Sequence, residues 1–177
     1  MKIFRTQRLY LSEFTLNDAG FVIELLNEPS FITQIGDKAV RTHDDAIHYL
    51  QTGPMKQYSE WGFGLYKVSL KSSKEPIGMC GLLKRDSLPF PDLGFAFKDK
   101  FQGKGYGYES SIAVLEQRKT SPLFPTVLAM TAQANESSKG LLRKLGFDQT
   151  TITSQLHPDC LFFELVLSQQ TTFIDGN

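Results

Sequence analysis

Apolar positions recur along this chain in two rhythms, every second residue or every third and fourth, and the changes of rhythm mark its elements. Alternation over Arg8-Leu9-Tyr10-Leu11-Ser12-Glu13-Phe14 predicts a strand. Thr15-Leu16-Asn17-Asp18 has the form of a capping box, and Phe21, Val22, Leu25 and Leu26 follow at helical spacing. Asn27-Glu28-Pro29 is expected to stop that helix, because proline lacks the amide and restricts the residue before it. A loop with a Gly36-Asp37 turn follows. Thr42-His43-Asp44-Asp45 repeats the capping signal, and Ala46, Ile47 and Leu50 face inward on a second helix that Gly53-Pro54 interrupts.

Residues 62–70 and 76–84 read as two strands of a hairpin around the polar turn Lys71-Ser72-Ser73-Lys74. A loop at 87–91 leads to a strand at 92–97, a helix at 109–118, a proline-bounded link at 121–125 and a buried strand at 126–132. Asn135 opens a further helix with Leu141, Leu142 and Leu145 inward, and Gly146 ends it in the manner of a C-terminal glycine. Residues 147–153 and 161–167 complete the pattern as an antiparallel pair. The order is β-α-α-β-β-β-α-β-α-β-β. It predicts a mixed α/β fold, with a mostly antiparallel central sheet of six to seven strands and flanking helices; the β-α-β crossover supplies one parallel step. Residues 1–167 are expected to form one domain, and the polar residues 168–177 a frayed tail.

Composition narrows the function. Of 177 residues, 41% are hydrophobic and 21% charged, which suits a folded protein with a real core. The formal net charge is zero, so no basic excess argues for nucleic acid. The apolar runs are far shorter than a membrane span, and residues 1–8 carry no signal-peptide core. Cys80 and Cys160 make neither a metal spacing nor a disulfide framework, so a cytoplasmic setting is expected. His43, His48 and His157 are too scattered to predict a metal site.

The chemistry concentrates at Phe101-Gln102-Gly103-Lys104-Gly105-Tyr106-Gly107-Tyr108, between a strand and a helix. Glycines let a main chain curl and approach a ligand closely, and amides at a helix start favour an anion. A Walker loop would need Lys-Ser or Lys-Thr after the glycines, and none is present. A dinucleotide fingerprint would need glycine where Tyr108 stands. The spacing that fits is Gln-x-x-Gly-x-Gly, through Gln102, Gly105 and Gly107. It resembles the acyl-CoA pyrophosphate loop of the GNAT superfamily of N-acetyltransferases.

The resemblance covers nearly the whole chain. Thr6-Gln7-Arg8-Leu9-Tyr10-Leu11 with Leu16-Asn17-Asp18-Ala19 looks like the opening of the branch that acetylates ribosomal-protein N-termini. Pro76-Ile77-Gly78-Met79-Cys80-Gly81-Leu82 and Asp92-Leu93-Gly94-Phe95 are similar to two of its strands. Asn135-Glu136-Ser137-Ser138, with Leu141-Leu142 and Lys144-Leu145-Gly146-Phe147, is similar to its second CoA segment. Gly140 and Arg143 depart from that branch, and Leu142 stands where other members carry a tyrosine acid.

The resemblance implies acetyl-CoA as donor, no metal, and a gap between the two strands flanking the central helix. Phe95, Ala96 and Phe97 would then offer main-chain groups to the donor, beside Gln102, Gly103, Lys104, Gly105, Tyr106, Gly107, Asn135 and Ser138. Transfer to an amine needs a base, donors for an oxyanion, and a partner for the leaving thiolate. Asp92 is the candidate base, directly or through water, and Ser138 the candidate thiol partner. Lys104, Lys139 and Arg143 either meet phosphates or are solvated. Cys80 and Cys160 have no histidine at a recognisable spacing and are read as buried or incidental. The acceptor side is placed near Glu28, Phe31, Tyr58, Trp61, His157 and Asp159. A peptide N-terminus, a polyamine, an aminoglycoside and an amino acid all stay open as acceptors. So do a homodimer through the final hairpin, a nucleotide-phosphate binder, and an inactive acyl-CoA sensor or structural subunit.

Overall fold

The computed structural model describes residues 3–119, 124–153 and 155–167. The expected tail at 168–177 and most of the link at 121–125 lie outside them. In chain order the elements are β1 (Ile3–Arg5), β2 (Leu9–Glu13), α1 (Ala19–Leu26), α2 (Pro29–Ile35), α3 (His43–Leu50), α4 (Lys56–Trp61), β3 (Leu65–Leu70) and β4 (Pro76–Leu83). There follow β5 (Asp92–Phe97), α5 (Tyr106–Lys119), β6 (Thr126–Ala132), α6 (Glu136–Lys144), β7 (Asp148–Gln149) and β8 (Cys160–Val166). The eight strands form one sheet in the order β1-β2-β3-β4-β5-β6-β8-β7. Every neighbouring pair is antiparallel except β5 with β6.

α1 ends at Leu26, just ahead of Asn27-Glu28-Pro29 as expected, but no loop takes over from it. Pro29 does not merely follow α1; it opens α2 as its first residue, where its missing amide costs nothing. The second helix is interrupted at Gly53-Pro54 as expected, but the chain does not leave the helical path there. Residues Gln51–Met55 widen into a π turn, and the helix resumes as α4 through Trp61. Four helices therefore stand between β2 and β3 where two were expected, and β1 raises the strand count to eight. The second capping box is present as expected: Thr42 Oγ1 accepts from the Asp45 amide at 3.2 Å, and Asp45 Oδ2 accepts from the Thr42 amide at 2.8 Å.

The period of two in the strands divides the core into two layers. Phe21, Leu25, Phe31 and Leu50 from α1 to α3 pack against Leu65, Met79 and Ala96 on one face of the sheet. Val114 and Leu115 of α5, Leu142 of α6 and Leu145 just after it pack against Val68, Cys80, Leu93 and Phe163 on the other. Each such fully buried leucine contributes about 1.5–3 kcal/mol over an exposed one. Leu88, from the β4–β5 loop, covers Leu128 and Phe162 in a small third cluster.

The site is positioned by the one parallel step. Among the described residues β5 and β6 share a single ladder pair, Asp92 with Leu128, secured by the Leu128 amide donating to the Pro91 carbonyl at 2.8 Å. Beyond it the strands diverge, while β6 stays paired with β8 along its full length and β5 with β4. The edge of β5 from Leu93 to Phe97 therefore has no ladder partner on the β6 side.

Candidate active site

At the end of β5 the chain turns through Asp99–Phe101 and enters α5 at Tyr106. Gly103 and Gly105 have φ of +70° and +79°, values that other residues adopt only with strain. The Glu109 amide makes a helical bond to the Gly105 carbonyl at 3.1 Å, so the amides just before it are the free donors of the helix start. They border a cavity of about 420 Å³, which Gln102, Gly103, Gly105, Tyr106 and Gly107 line from one side. Phe95, Ala96 and Phe97 line it from β5, and Asn135 and Ser138 from α6. Of the residues expected to meet the donor, Lys104 alone does not line it; its ammonium lies 5.5 Å from the Phe101 ring centroid.

Gln102 and Gly107, besides lining the cavity, also hold the turn in place. The Gln102 amide nitrogen donates to the Phe97 carbonyl at 3.1 Å and to Ser30 Oγ at 2.8 Å, so this side chain ties the turn to β5 and α2. A Cβ on Gly107 would lie 3.1 Å from Leu141 Cδ2 and 3.6 Å from Phe97 Cε2, so this glycine lets α5 approach α6. The turn also rests on a brace that spacing did not reveal. Glu109 accepts from Thr6 Oγ1 at 2.5 Å, from the Arg8 amide at 2.7 Å and from Arg8 Nε at 2.6 Å. Arg8 Nη1 donates to the Lys104 carbonyl at 3.0 Å, and its guanidinium carbon lies 4.6 Å from the Tyr106 ring centroid.

α6 begins with an asparagine cap: Asn135 Oδ1 accepts from the Ser138 amide at 3.0 Å. Lys139 is buried, donates to the Gln133 carbonyl at 2.6 Å and pairs with Glu136, so its charge is already engaged. Arg143 is exposed and does not line the cavity, whereas Lys144 does, with its ammonium 4.3 Å from the Tyr108 ring centroid.

A second cavity, of about 220 Å³, adjoins the first through Phe95, Asn135 and Ser138. Asp92 lines it and is only 2% exposed; Oδ1 accepts from Arg85 Nε at 2.8 Å. Burial pushes the Asp92 carboxyl above its ordinary value, against the opposing pull of Arg85 and, less strongly, His157. Lys38, His157 and Cys160 line the same space. A third cavity, of about 250 Å³, continues from it past Lys38, Arg85, Gly94 and Phe95 into the layer beneath α2 and α3.

Of the residues expected on the acceptor side, Phe31 and His157 line these cavities. Tyr58 is a core residue whose hydroxyl donates to the Leu65 carbonyl and accepts from the Phe14 amide at 3.1 Å. The Trp61 ring packs 5.9 Å from that of Phe124, Glu28 accepts from the Asp99 amide at 3.3 Å, and Asp159 lines none of the three spaces. Cys80 is buried 3.6 Å from Ser111 Oγ, and burial pushes its thiol up to about 11. Cys160 is half-buried at the second cavity, with its thiol raised by burial and by Asp159. Among the described residues no cluster suited to a metal ion occurs, and no helix is long and apolar enough to cross a membrane.

Residues 8–148 match the family described as the acetyltransferase (GNAT) domain. The chain belongs to the GNAT acetyltransferases. This GNAT chain shares its fold with solved structures at low identity. An acetyltransferase from Agrobacterium tumefaciens superposes with a TM-score of 0.81 at 19% identity, covering 93% of this chain and 94% of that one. RimL, a ribosomal L7/L12 alpha-N-protein acetyltransferase solved with coenzyme A, gives 0.79 at 12% identity over 96% and 100%. The microcin C7 self-immunity acetyltransferase MccE, solved with acetyl-CoA and AMP, gives 0.75 at 16% over 90% and 93%. No curated protein matches the sequence of this GNAT chain.

Proposed function

We infer that this GNAT chain transfers the acetyl group of acetyl-CoA directly to a primary amine within a ternary complex. One observation carries the reading: Ser138 and Phe95 line both the cavity at the glycine turn and the cavity that holds Asp92. A donor in the first and an amine in the second would meet at these two residues. The residues present suit an acyl-CoA. The α5 amides and Lys144 suit its pyrophosphate, and the unladdered edge of β5 suits an arm rich in amide groups. The coenzyme A bound to RimL and the acetyl-CoA bound to MccE, which share the fold, support the same donor.

In this reading Asp92 takes a proton from the ammonium, which is the ordinary form of an amine near neutral pH. Its raised pKa suits a base working there. The amine nitrogen adds to the thioester carbonyl to give an oxyanion; as this collapses the C–S bond breaks, and the second proton lost by the nitrogen passes to the thiolate to give the free thiol. Main-chain amides along β5 stabilise the oxyanion, and the Ser138 hydroxyl donates a hydrogen bond to the departing sulfur. The test combines binding with turnover. Acetyl-CoA is expected to raise the melting temperature, its binding adding about 2.7 kcal/mol of stability at a hundred times its Kd. Thiol release should depend on an added amine, and Asp92→Asn with Ser138→Ala should suppress it while the melting shift persists. No shift with acetyl-CoA, or full turnover in the double variant, overturns the reading.

A further inference from the structure

The two cavities on the acceptor side share a wall that carries more positive charge than the protein uses. Arg85 and Lys38 line both. A guanidinium carries five N–H donors in a fixed fork. Arg85 spends its Nε–H on Asp92, and its terminal nitrogens have no acceptor among the described residues. The Lys38 ammonium likewise has no carboxylate or carbonyl partner among the described residues, and it faces the like charge of Arg85. Asp92, already paired, is the one carboxylate on either cavity among the described residues. The third cavity is walled by Phe31, Tyr49, Pro54, Leu65, Met79 and Leu83, an apolar lining of a size to take a leucine or phenylalanine side chain.

These three features describe one ligand, and the inference rests on the transferase reading of the same site. We propose that the acceptor is an α-amino acid with an apolar side chain. Its amine lies at Asp92, its carboxylate on the free arms of Arg85 and on Lys38, and its side chain in the third cavity. The short span between amine and acid follows from Arg85 itself, because the nitrogen that holds the base and the nitrogens left for the anion belong to one guanidinium. The same wall disfavours polyamines and aminoglycosides, whose extra cations would meet Lys38 and Arg85. It gives less to a peptide N-terminus, whose neighbouring carbonyl is uncharged.

The experiment compares leucine, leucinamide, isoamylamine and spermidine as acceptors by released thiol. In parallel, calorimetry measures binding of N-acetyl-leucine and N-acetyl-isoamylamine in the presence of CoA. Leucine should exceed isoamylamine at least tenfold in kcat/KM. Lys38→Gln, on an exposed loop, should erase most of that preference through KM while the melting temperature stays unchanged. Isoamylamine or spermidine serving as well as leucine, or an unchanged preference in Lys38→Gln, overturns the proposal and leaves acetyl transfer standing. If no amine is acetylated but N-acetyl-leucine binds the wild type and not Lys38→Gln, the anion site stands and the transferase reading falls. If N-acetyl-leucine binds no better than N-acetyl-isoamylamine and no amine is acetylated, both fall.

Discussion

Arg85 Nε donates to Asp92 Oδ1 at 2.8 Å, and the two side chains differ sharply in exposure, 36% for the arginine and 3% for the aspartate. The carboxylate is thus held inside the protein by a cation that reaches it from the rim. Desolvation prevails over this pairing and leaves the carboxyl with a raised pKa. The pair sets a buried carboxylate beside a partly exposed guanidinium at one point of the second cavity.

Asp92→Asn separates the catalytic and structural consequences. Because the folded pKa is raised, the stability Asp92 contributes is complete below the ordinary carboxylate pKa and is lost as pH rises through the folded value. The Asn variant should therefore melt at or above the wild-type temperature near neutral pH, with the gap closing at about pH 4. Turnover should fall roughly 10²–10⁴-fold, and the rise of kcat/KM with pH across the Asp92 titration should vanish. Melting curves and rate profiles across pH check both; a variant much less stable at neutral pH would contradict the sign.

Ser138 and its cap separate in the same way. Ser138→Ala keeps the amide that Asn135 holds, so stability should stay within about 0.5 kcal/mol while kcat falls. Asn135→Ala removes the cap and should cost about 1 kcal/mol. Denaturant melts alongside single-turnover rates distinguish them.

The brace beneath the glycine turn should respond to acid. Burial works against Glu109, but bonds from Thr6 and Arg8 prevail and hold its carboxyl below the usual range. The stability it contributes is present above the ordinary glutamate pKa and lost as pH falls through the depressed one. Glu109→Gln should cost about 1 kcal/mol near neutral pH, toward the low end because Arg8 is largely exposed, and progressively less in acid. Acetyl-CoA affinity, measured by calorimetry, should fall with it, because Arg8 then loses its hold on the turn.

Gly105→Ala tests the turn itself. At φ of +79° a side chain is strained, and the added Cβ would lie 3.3 Å from Arg8 Nη2. The expected cost is about 1–2 kcal/mol, with weaker acetyl-CoA binding. An alanine variant that binds and melts as the wild type does would show that the turn does not need glycine there.

The sequence located β5 and β6 residue for residue, because each is a short apolar run bounded by prolines and turn residues. It found α6 with its cap and terminal glycine for the same local reason. It missed α2 and α4, since a proline reads equally well as the end of one helix or the start of the next, and only packing distinguishes the two.

The site divides along the same line. Spacing marked the glycine turn, and the resemblance, carried by short local motifs, marked the strand with Asp92 and the helix with Ser138, because each depends on residues close in the chain. Arg8, Lys38, Arg85 and Lys144 were not marked as site residues by any local pattern: each reaches the site only when separate elements pack together. The divergence of β5 from β6 is likewise a matter of register between strands separated by a whole helix. Local preference could name the parts of this protein. Only burial and pairing across the sheet could bring a buried carboxylate, two cations and a glycine turn to one junction.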